Sequence, residues 1–418
     1  MESNTPPVKF SSALAKLAKL ITKYHDVINV CMVDFVTKNV FDNVLNDELK
    51  ENLRQLTESE ICYLPEKFFG QNSINMSNKQ ELDNLINELQ QHTLESLCVV
   101  ECKENLLNQL DAFKNAHSGT SLKHFDKFMS EKKMHEVEVM SELISHLSDE
   151  NSVDTLIDLG SGKAYLSQVL SATSENLRIL AIDSSKTNSE GAQKRSDRLD
   201  TKWDGLKKRA DFRASGLEPP VRSKHARSKK KEENDNTLPR DSPEQTKRNR
   251  FADNLKYVTK FVDIQTDLQS LLIENFSSDE KDFVKFDGNR LGLIGLHTCG
   301  NLASDSIKIW INNSTMKFLC NVGCCYHHLD EEFYRNPYLA KEQIDNSVPS
   351  FPLSKQLKSM NYQLGRSARM VAAQPMDRLR AKQNLPSEAL LWRAILQHIL
   401  LIHVPDLHFA NQQVRVRL

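Results

Sequence analysis

Two apolar runs, each ending in an acid and joined through a pair of closely spaced glycines, constrain this chain more than any other feature. The first is Thr155-Leu-Ile-Asp-Leu-Gly-Ser-Gly-Lys-Ala164, and the second is Arg178-Ile-Leu-Ala-Ile-Asp183. A strand, a glycine turn, a helix-length segment and a second strand make a nucleotide-binding βαβ unit. Gly160 and Gly162 allow a sharp turn and a close approach of backbone to a ligand. Asp183 stands where a carboxylate can accept both hydroxyls of a ribose. Tyr165 occupies the last position of G-x-G-x-x-G, so the run follows D-x-G-x-G, the pattern of S-adenosylmethionine (SAM) enzymes, more closely than the dinucleotide pattern. A glycine turn that binds nothing is the bland alternative.

Further apolar runs follow at Tyr257–Asp263, Leu291–His297 and Phe318–Cys325, separated by helix-length segments. Several lack polar alternation, as strands buried on both faces do. The expected fold class is therefore α/β, a Rossmann-like doubly wound parallel sheet with its ligand at the carboxyl ends of the strands. Ahead of it the chain reads as helix. Leu14, Leu17, Ile21, Tyr24, Ile28 and Cys31 recur at three- and four-residue steps, and Ser77 with Gln80 makes a capping-box pattern. The expected division is an all-helical domain over 1–120, a core over 121–345, and a helical and strand completion of that core over 346–418.

Net charge is −1 over 418 residues, so no global field points to nucleic acid or membrane. The average hides an asymmetry. Residues 201–250 hold 15 Lys and Arg against 8 Asp and Glu, a net +7, with few large apolar side chains. Such composition cannot offset chain entropy, and a disordered basic insertion is expected at about 186–250. It serves as a solvated loop, a nuclear-import patch or an arm that collects RNA. Nothing resembles a signal peptide, and no apolar stretch approaches the roughly 20 residues of a membrane span. Reduced thiols in the cytosol or nucleus are expected for the eight cysteines.

Unusual chemistry follows the fourth and fifth strands, in His297-Thr-Cys-Gly-Asn301 and Asn321-Val-Gly-Cys-Cys-Tyr-His-His328. His297, His327 and His328 are candidate general bases near neutral pH. Cys299, Cys324 and Cys325 with the histidines are also zinc-type ligands. No C-x₂-C pair is present and adjacent cysteines rarely share one tetrahedral ion, so no metal is expected. Buried cysteine as a small hydrophobe is the ordinary alternative.

Taken together, Met129-Ser-Glu-Lys-Lys-Met-His-Glu136, Asp158-Leu-Gly-Ser-Gly-Lys163, His297-Thr-Cys-Gly-Asn-Leu302 and Gly323-Cys-Cys-Tyr-His-His-Leu329 resemble the methyltransferase-like protein 25 family, also called ribosomal RNA adenine dimethylase domain-containing protein. Phe351-Pro-Leu-Ser354 and Leu364-Gly-Arg-Ser-Ala-Arg369 extend the resemblance, which runs from about Ser121 to Leu401. The histidine and cysteine elements are also similar to those of eukaryotic tRNA ribose 2′-O-methyltransferases with a CHHC zinc finger, although no such finger is visible. Two departures stand out. Ala164 replaces the family's third glycine, and with the sequence ending at Val414-Arg-Val-Arg-Leu418 the family's closing strands are expected to be short or missing.

The resemblance implies a SAM-dependent methyltransferase acting on a macromolecule. On the residues, Asp158 and the Gly160–Gly162 turn hold the methionine portion, Asp183 the ribose, and Asp263, at the end of the third strand, the adenine amine. Lys132, Lys133 and His135 precede the first strand and line the pocket mouth. Arg366 and Arg369, one helical turn apart, clamp a phosphate or carboxylate, or else form a surface pair. RNA is favoured over protein as acceptor, but the adenine-amine signature Asn/Asp-Pro-Pro-aromatic is absent, with His297-Thr-Cys-Gly in its place. A SAM-binding or degenerate interaction module is the alternative, and Ala164 and the early end are its marks. Acceptor atom and oligomeric state are not legible.

Overall fold

The computed structural model describes residues 6–69, 79–111, 129–174, 177–214, 254–276, 290–334, 349–374 and 388–404. They divide into two compact units. One joins Met1–Leu106 with Cys324–Leu418, and the other is Leu107–Gly323. Among the described residues seven α-helices come first: α1 (Pro6–Lys23), α2 (His25–Ile28), α3 (Val40–Val44), α4 (Asp47–Arg54), α5 (Glu58–Phe69), α6 (Gln80–Gln91) and α7 (Lys103–Asp111). The Leu107–Gly323 unit then runs α8 (Glu131–Glu150), β1 (Thr155–Leu159), α9 (Tyr165–Thr173), β2 (Arg178–Asp183), α10 (Lys186–Ala214), β3 (Leu255–Thr259), α11 (Leu268–Phe276), β4 (Leu291–Cys299), α12 (Asn301–Ile311) and β5 (Met316–Cys324). After it come α13 (Lys355–Ser359), α14 (Arg366–Ala372) and α15 (Glu388–His403).

The five strands form one parallel sheet in the order β3-β2-β1-β4-β5. The chain reverses its winding between β1 and β4, and this crevice is where ligands bind in such sheets. Register pairs Leu156 with Ile179 and Asp158 with Ala181, and on the other side Leu156 with Gly292. Side chains alternate across the sheet with period two. Leu156, Ile179 and Ala181 pack with Val137, Met140 and Ile144 of α8, Val169 and Leu170 of α9, and Ala192 and Leu199 of α10. Ile157, Leu159, Leu180 and Ile182 face the opposite way, against Leu268, Leu271 and Leu272 of α11 and Ile309 of α12. Both faces are covered, which explains why β1 shows no polar alternation.

Several sequence expectations need correction. Residues 186–214, assigned to a disordered insertion, are helix α10. Its buried stripe is Ser189, Ala192, Ser196 and Leu199, at helical spacing. Small residues carry most of that stripe, so hydrophobic content alone hides it. The rest of the insertion, 215–250, lies outside the described residues. Strand β3 stops at Thr259, leaving Asp263 in the following loop, whereas β4 continues through His297 and Thr298 to Cys299. Ser77 of the expected capping box is also outside the described residues; α6 begins at Gln80 with Lys79 as its cap position and no side-chain cap bond.

The domain division differs too. Segment 324–418 groups with the amino-terminal helices instead of completing the sheet. Ala18 of α1 is buried with Leu357 and Tyr362, and Leu14, Ile21, Phe351 and Leu364 pack around them. Asn29 seals the arrangement by donating to the Leu364 carbonyl at 2.8 Å. Among the described residues, no strand follows β5 beyond an isolated bridge between Glu331 and Phe351. No helix among them is long and apolar enough to cross a membrane.

Candidate functional site

At the carboxyl ends of β1 and β2 the backbone makes the turn that the glycines predict. Gly160, Gly162 and Ala164 all take left-handed conformations, with φ of 67°, 55° and 53°. A Cβ at Gly160 would meet the Leu302 side chain at 2.9 Å and the His297 carbonyl oxygen at 3.2 Å, so the position needs glycine twice over. At Gly162 a Cβ would find almost nothing nearby. Ala164 is fully buried and starts α9 in a conformation that costs a non-glycine residue roughly 1–2 kcal/mol.

Asp183 holds this turn in place. Its Oδ2 accepts the Gly162 N–H at 2.8 Å, while Oδ1 accepts the Ser185 N–H at 2.8 Å and the Asn188 amide at 3.0 Å. The Ile182 carbonyl adds a bond from the Ser161 N–H at 3.0 Å. A carboxylate offers about four lone-pair sites, and the protein itself occupies three. Asp183 therefore has a structural role at the turn, which the sequence reading did not assign to it.

Asp158 is buried in β1, and its Oδ2 accepts the Ser167 hydroxyl at 2.5 Å. Burial pushes the carboxyl up to about 7, the Ser167 bond opposes this, and the nearby Asp183 charge adds to it. A buried carboxyl raised this far is only partly ionised near neutral pH.

Asp263 is exposed, and its Oδ1 caps the next turn by accepting from the Gln265 N–H at 3.0 Å and the Thr266 hydroxyl at 2.9 Å. His135 is exposed on α8. The α8 residue that reaches the end of β4 is its neighbour Glu136, whose Oε2 lies 3.7 Å from His297 Nε2, with Lys132 also 3.4 Å from the same carboxylate. Neither Glu136 nor Ser167 was given a role from the sequence, since one lies in a charged run and the other among the apolar residues of α9. Around the Tyr165 ring, Lys133 Nζ at 5.1 Å and the Arg195 guanidinium at 4.5 Å make cation–π contacts, and Arg195 also donates to the Lys163 carbonyl at 2.7 Å. Thr298, fully buried between His297 and Cys299, donates to the Asn321 side chain and to the Val322 carbonyl at 3.0 Å.

His327 and His328 belong to the other unit. They sit in a 3-10 turn, Tyr326–His328, which Cys325 enters with φ of 51°. Their rings lie 4.1 Å apart between centroids. Burial holds the His327 imidazole below its usual 6.5, and the charges of His328, Arg366 and Arg369 act in the same direction. Arg369 fits neither the phosphate or carboxylate clamp nor the surface pair read for it and Arg366. It is 5% exposed and is committed to Glu331, whose carboxylate is 2.5 Å from its Nε.

Comparison with known proteins agrees with the motifs. A family model described as a methyltransferase domain matches residues 132–332. "Probable methyltransferase-like protein 25" from Homo sapiens is 31% identical over 379 residues, covering 74% of this chain and 61% of the human protein. The Mus musculus protein of the same name is 28% identical over 445 residues, covering 88% of this chain and 73% of its own length. The chain thus spans less than two thirds of the human relative. No solved structure gives a significant match.

Proposed function

We propose, for a chain homologous to the methyltransferase-like protein 25 proteins and carrying a methyltransferase domain, that the Leu107–Gly323 unit binds SAM and that the protein transfers its methyl group to a macromolecular acceptor. One observation carries the reading. Asp183, at the end of β2, accepts the Gly162 N–H of the glycine turn after β1, which fixes a cradle at the point where the winding of the sheet reverses. The close approach of Gly160 to the His297 carbonyl leaves the turn no side chain on that flank.

The residues fit this cofactor. Among the described residues no cationic side chain pairs with the buried Asp158 carboxyl, and the amino group of the methionine portion is a cation of suitable charge. Asp183 retains one acceptor site for a ribose hydroxyl. Asp263, exposed in the loop after β3, is assigned the adenine amine, and His135 the pocket mouth. When bound, SAM supplies a methyl group on a sulfonium, ready for in-line displacement. The protein's task is then mainly positioning, with a fixed electrostatic surround.

His297, His327 and His328 are proposed to serve the acceptor. Glu136 beside His297 supports an orienting role for that ring, and the lowered His327 supports a neutral imidazole able to take a proton near pH 7. RNA is favoured over protein as the acceptor because Lys133 and Arg195 gather on Tyr165, just after the glycine turn, and cations position phosphate backbones. The direct test is tritiated SAM incubated with total RNA and total protein from cells lacking this protein. Label in the RNA fraction, lost on His297→Ala or His327→Ala with SAM affinity retained, is the expected result. Label confined to protein would replace the acceptor, and no label with intact SAM binding would favour a non-catalytic module.

That second reading has one observation in its favour, the buried Ala164 in a left-handed conformation that suits glycine. It is distinguished by the cofactor affinity of Ala164→Gly.

A further inference from the structure

Arg369 is nearly inaccessible, and the groups it bonds, on Tyr326, Leu329 and Glu331, all lie within the Met1–Leu106 and Cys324–Leu418 unit. Its Nη1 donates to the carbonyl of Tyr326 at 2.9 Å and to that of Leu329 at 2.6 Å, the residues on either side of His327 and His328. Its Nε donates to Glu331 Oε1 at 2.5 Å, and the two side chains are 6% and 0% exposed. The Glu331 carboxylate also accepts the Leu364 N–H at 2.8 Å and the Gly365 N–H at 3.1 Å, at the start of α14, which carries Arg369. Asn29 closes the circuit: its amide donates to the Leu364 carbonyl at 2.8 Å, and a Cβ at Gly365 would meet its Oδ1 at 2.1 Å.

A buried ion pair is a poor device for stability alone, because desolvation consumes most of its attraction. What it does well is fix geometry, since removing either partner strands the other. Here one planar guanidinium grips both flanks of a three-residue turn, a task that its rigid fork suits and a lysine's single ammonium does not. We propose that Arg369, held by Glu331, is a positioning residue that sets the orientation of the His327–His328 pair. This inference rests on the acceptor-side role proposed for those histidines.

The test separates geometry from charge and from folding. Arg369→Lys keeps the positive charge but cannot span both carbonyls and Glu331 together. Full-length protein with ¹³C-labelled histidine is titrated by NMR, with the His327 signal assigned by its disappearance in His327→Gln. Groups that act on this ring are His328, Arg366 and Arg369, in addition to burial. In folded wild-type protein His327 should titrate below 6.5, and in Arg369→Lys it should move back toward that value. Methyl transfer from tritiated SAM to total RNA and protein should fall about 10²-fold, the scale of a misplaced catalytic group, with SAM affinity unchanged. In a His327→Ala background the same lysine substitution should add little. A folded Arg369→Lys whose His327 titrates as in wild type would overturn the proposal. Should that variant unfold, Glu331→Gln, which keeps shape and an acceptor oxygen, is read the same way. If His327→Ala leaves transfer unchanged, the acceptor reading fails, while the NMR shift still reports whether Arg369 sets the ring.

Discussion

The Gly162 N–H donates to Asp183 Oδ2 at 2.8 Å, linking residues 21 apart in sequence. The acid that the sequence marks for ligand binding is thereby also the clamp of the glycine turn. Asp183→Ala should therefore damage two properties together. Losing acceptors for these partly buried N–H groups costs up to about 1–3 kcal/mol of folding stability each, and SAM affinity should fall with it. Asp183→Asn, which retains an acceptor oxygen, should fall between. Calorimetric titration beside thermal melts checks this, and an alanine variant with unchanged melting but lost affinity would limit Asp183 to the ligand.

Asp158 carries a pH signature. Its carboxyl is raised to about 7 in the folded protein from an ordinary value near 3.8, chiefly by burial. Between those values the native state retains a proton that the unfolded chain has lost, so stability declines as pH rises from about 4 to 7. Below pH 4 both states are protonated and the effect vanishes. Asp158→Asn should remove this decline, making the variant more stable relative to wild type at pH 8 than at pH 4.5. Parallel denaturation curves at the two values would refute the raised carboxyl.

The turn distinguishes two small substitutions. Gly160→Ala puts a methyl against the His297 carbonyl at a φ of 67°, and left-handed strain alone costs about 1–3 kcal/mol. It should destabilise the protein and weaken SAM binding. Ala164→Gly relieves a φ of 53° and should leave stability near wild type, because the relief offsets the lost methyl contact. If Ala164 bars the cofactor, as a non-catalytic module would require, glycine there should raise SAM affinity at least about tenfold, or 1.4 kcal/mol. Little change on titration supports the catalytic reading.

Helix α10 is part of the core. Leu199 is 1% exposed, and Ser196 meets the Tyr257 hydroxyl of β3 at 2.5 Å. Leu199→Ala should cost about 2–5 kcal/mol in chemical denaturation, the usual range for a truncated core leucine. A cost near zero would return this segment to a dispensable insertion.

Local pattern determined much of this protein. The apolar runs of β1, β2 and β4 alternate between two buried faces, so the sheet was legible, and the left-handed turn followed from Gly160 and Gly162 because little else tolerates that backbone. Tertiary structure decided the rest through contacts that local pattern cannot carry. Helix α10 escaped notice because Ala192 and Ser196 bury no large apolar surface, and its charged residues read as solvated chain. Arg369 stood in a recognisable motif, but its role depends on Glu331, 38 residues earlier, and on two carbonyls that converge only after folding. Asp183 shows both levels at once. Its place at a strand end was written in the sequence, whereas how many of its lone pairs the protein uses was settled only when the turn closed over it.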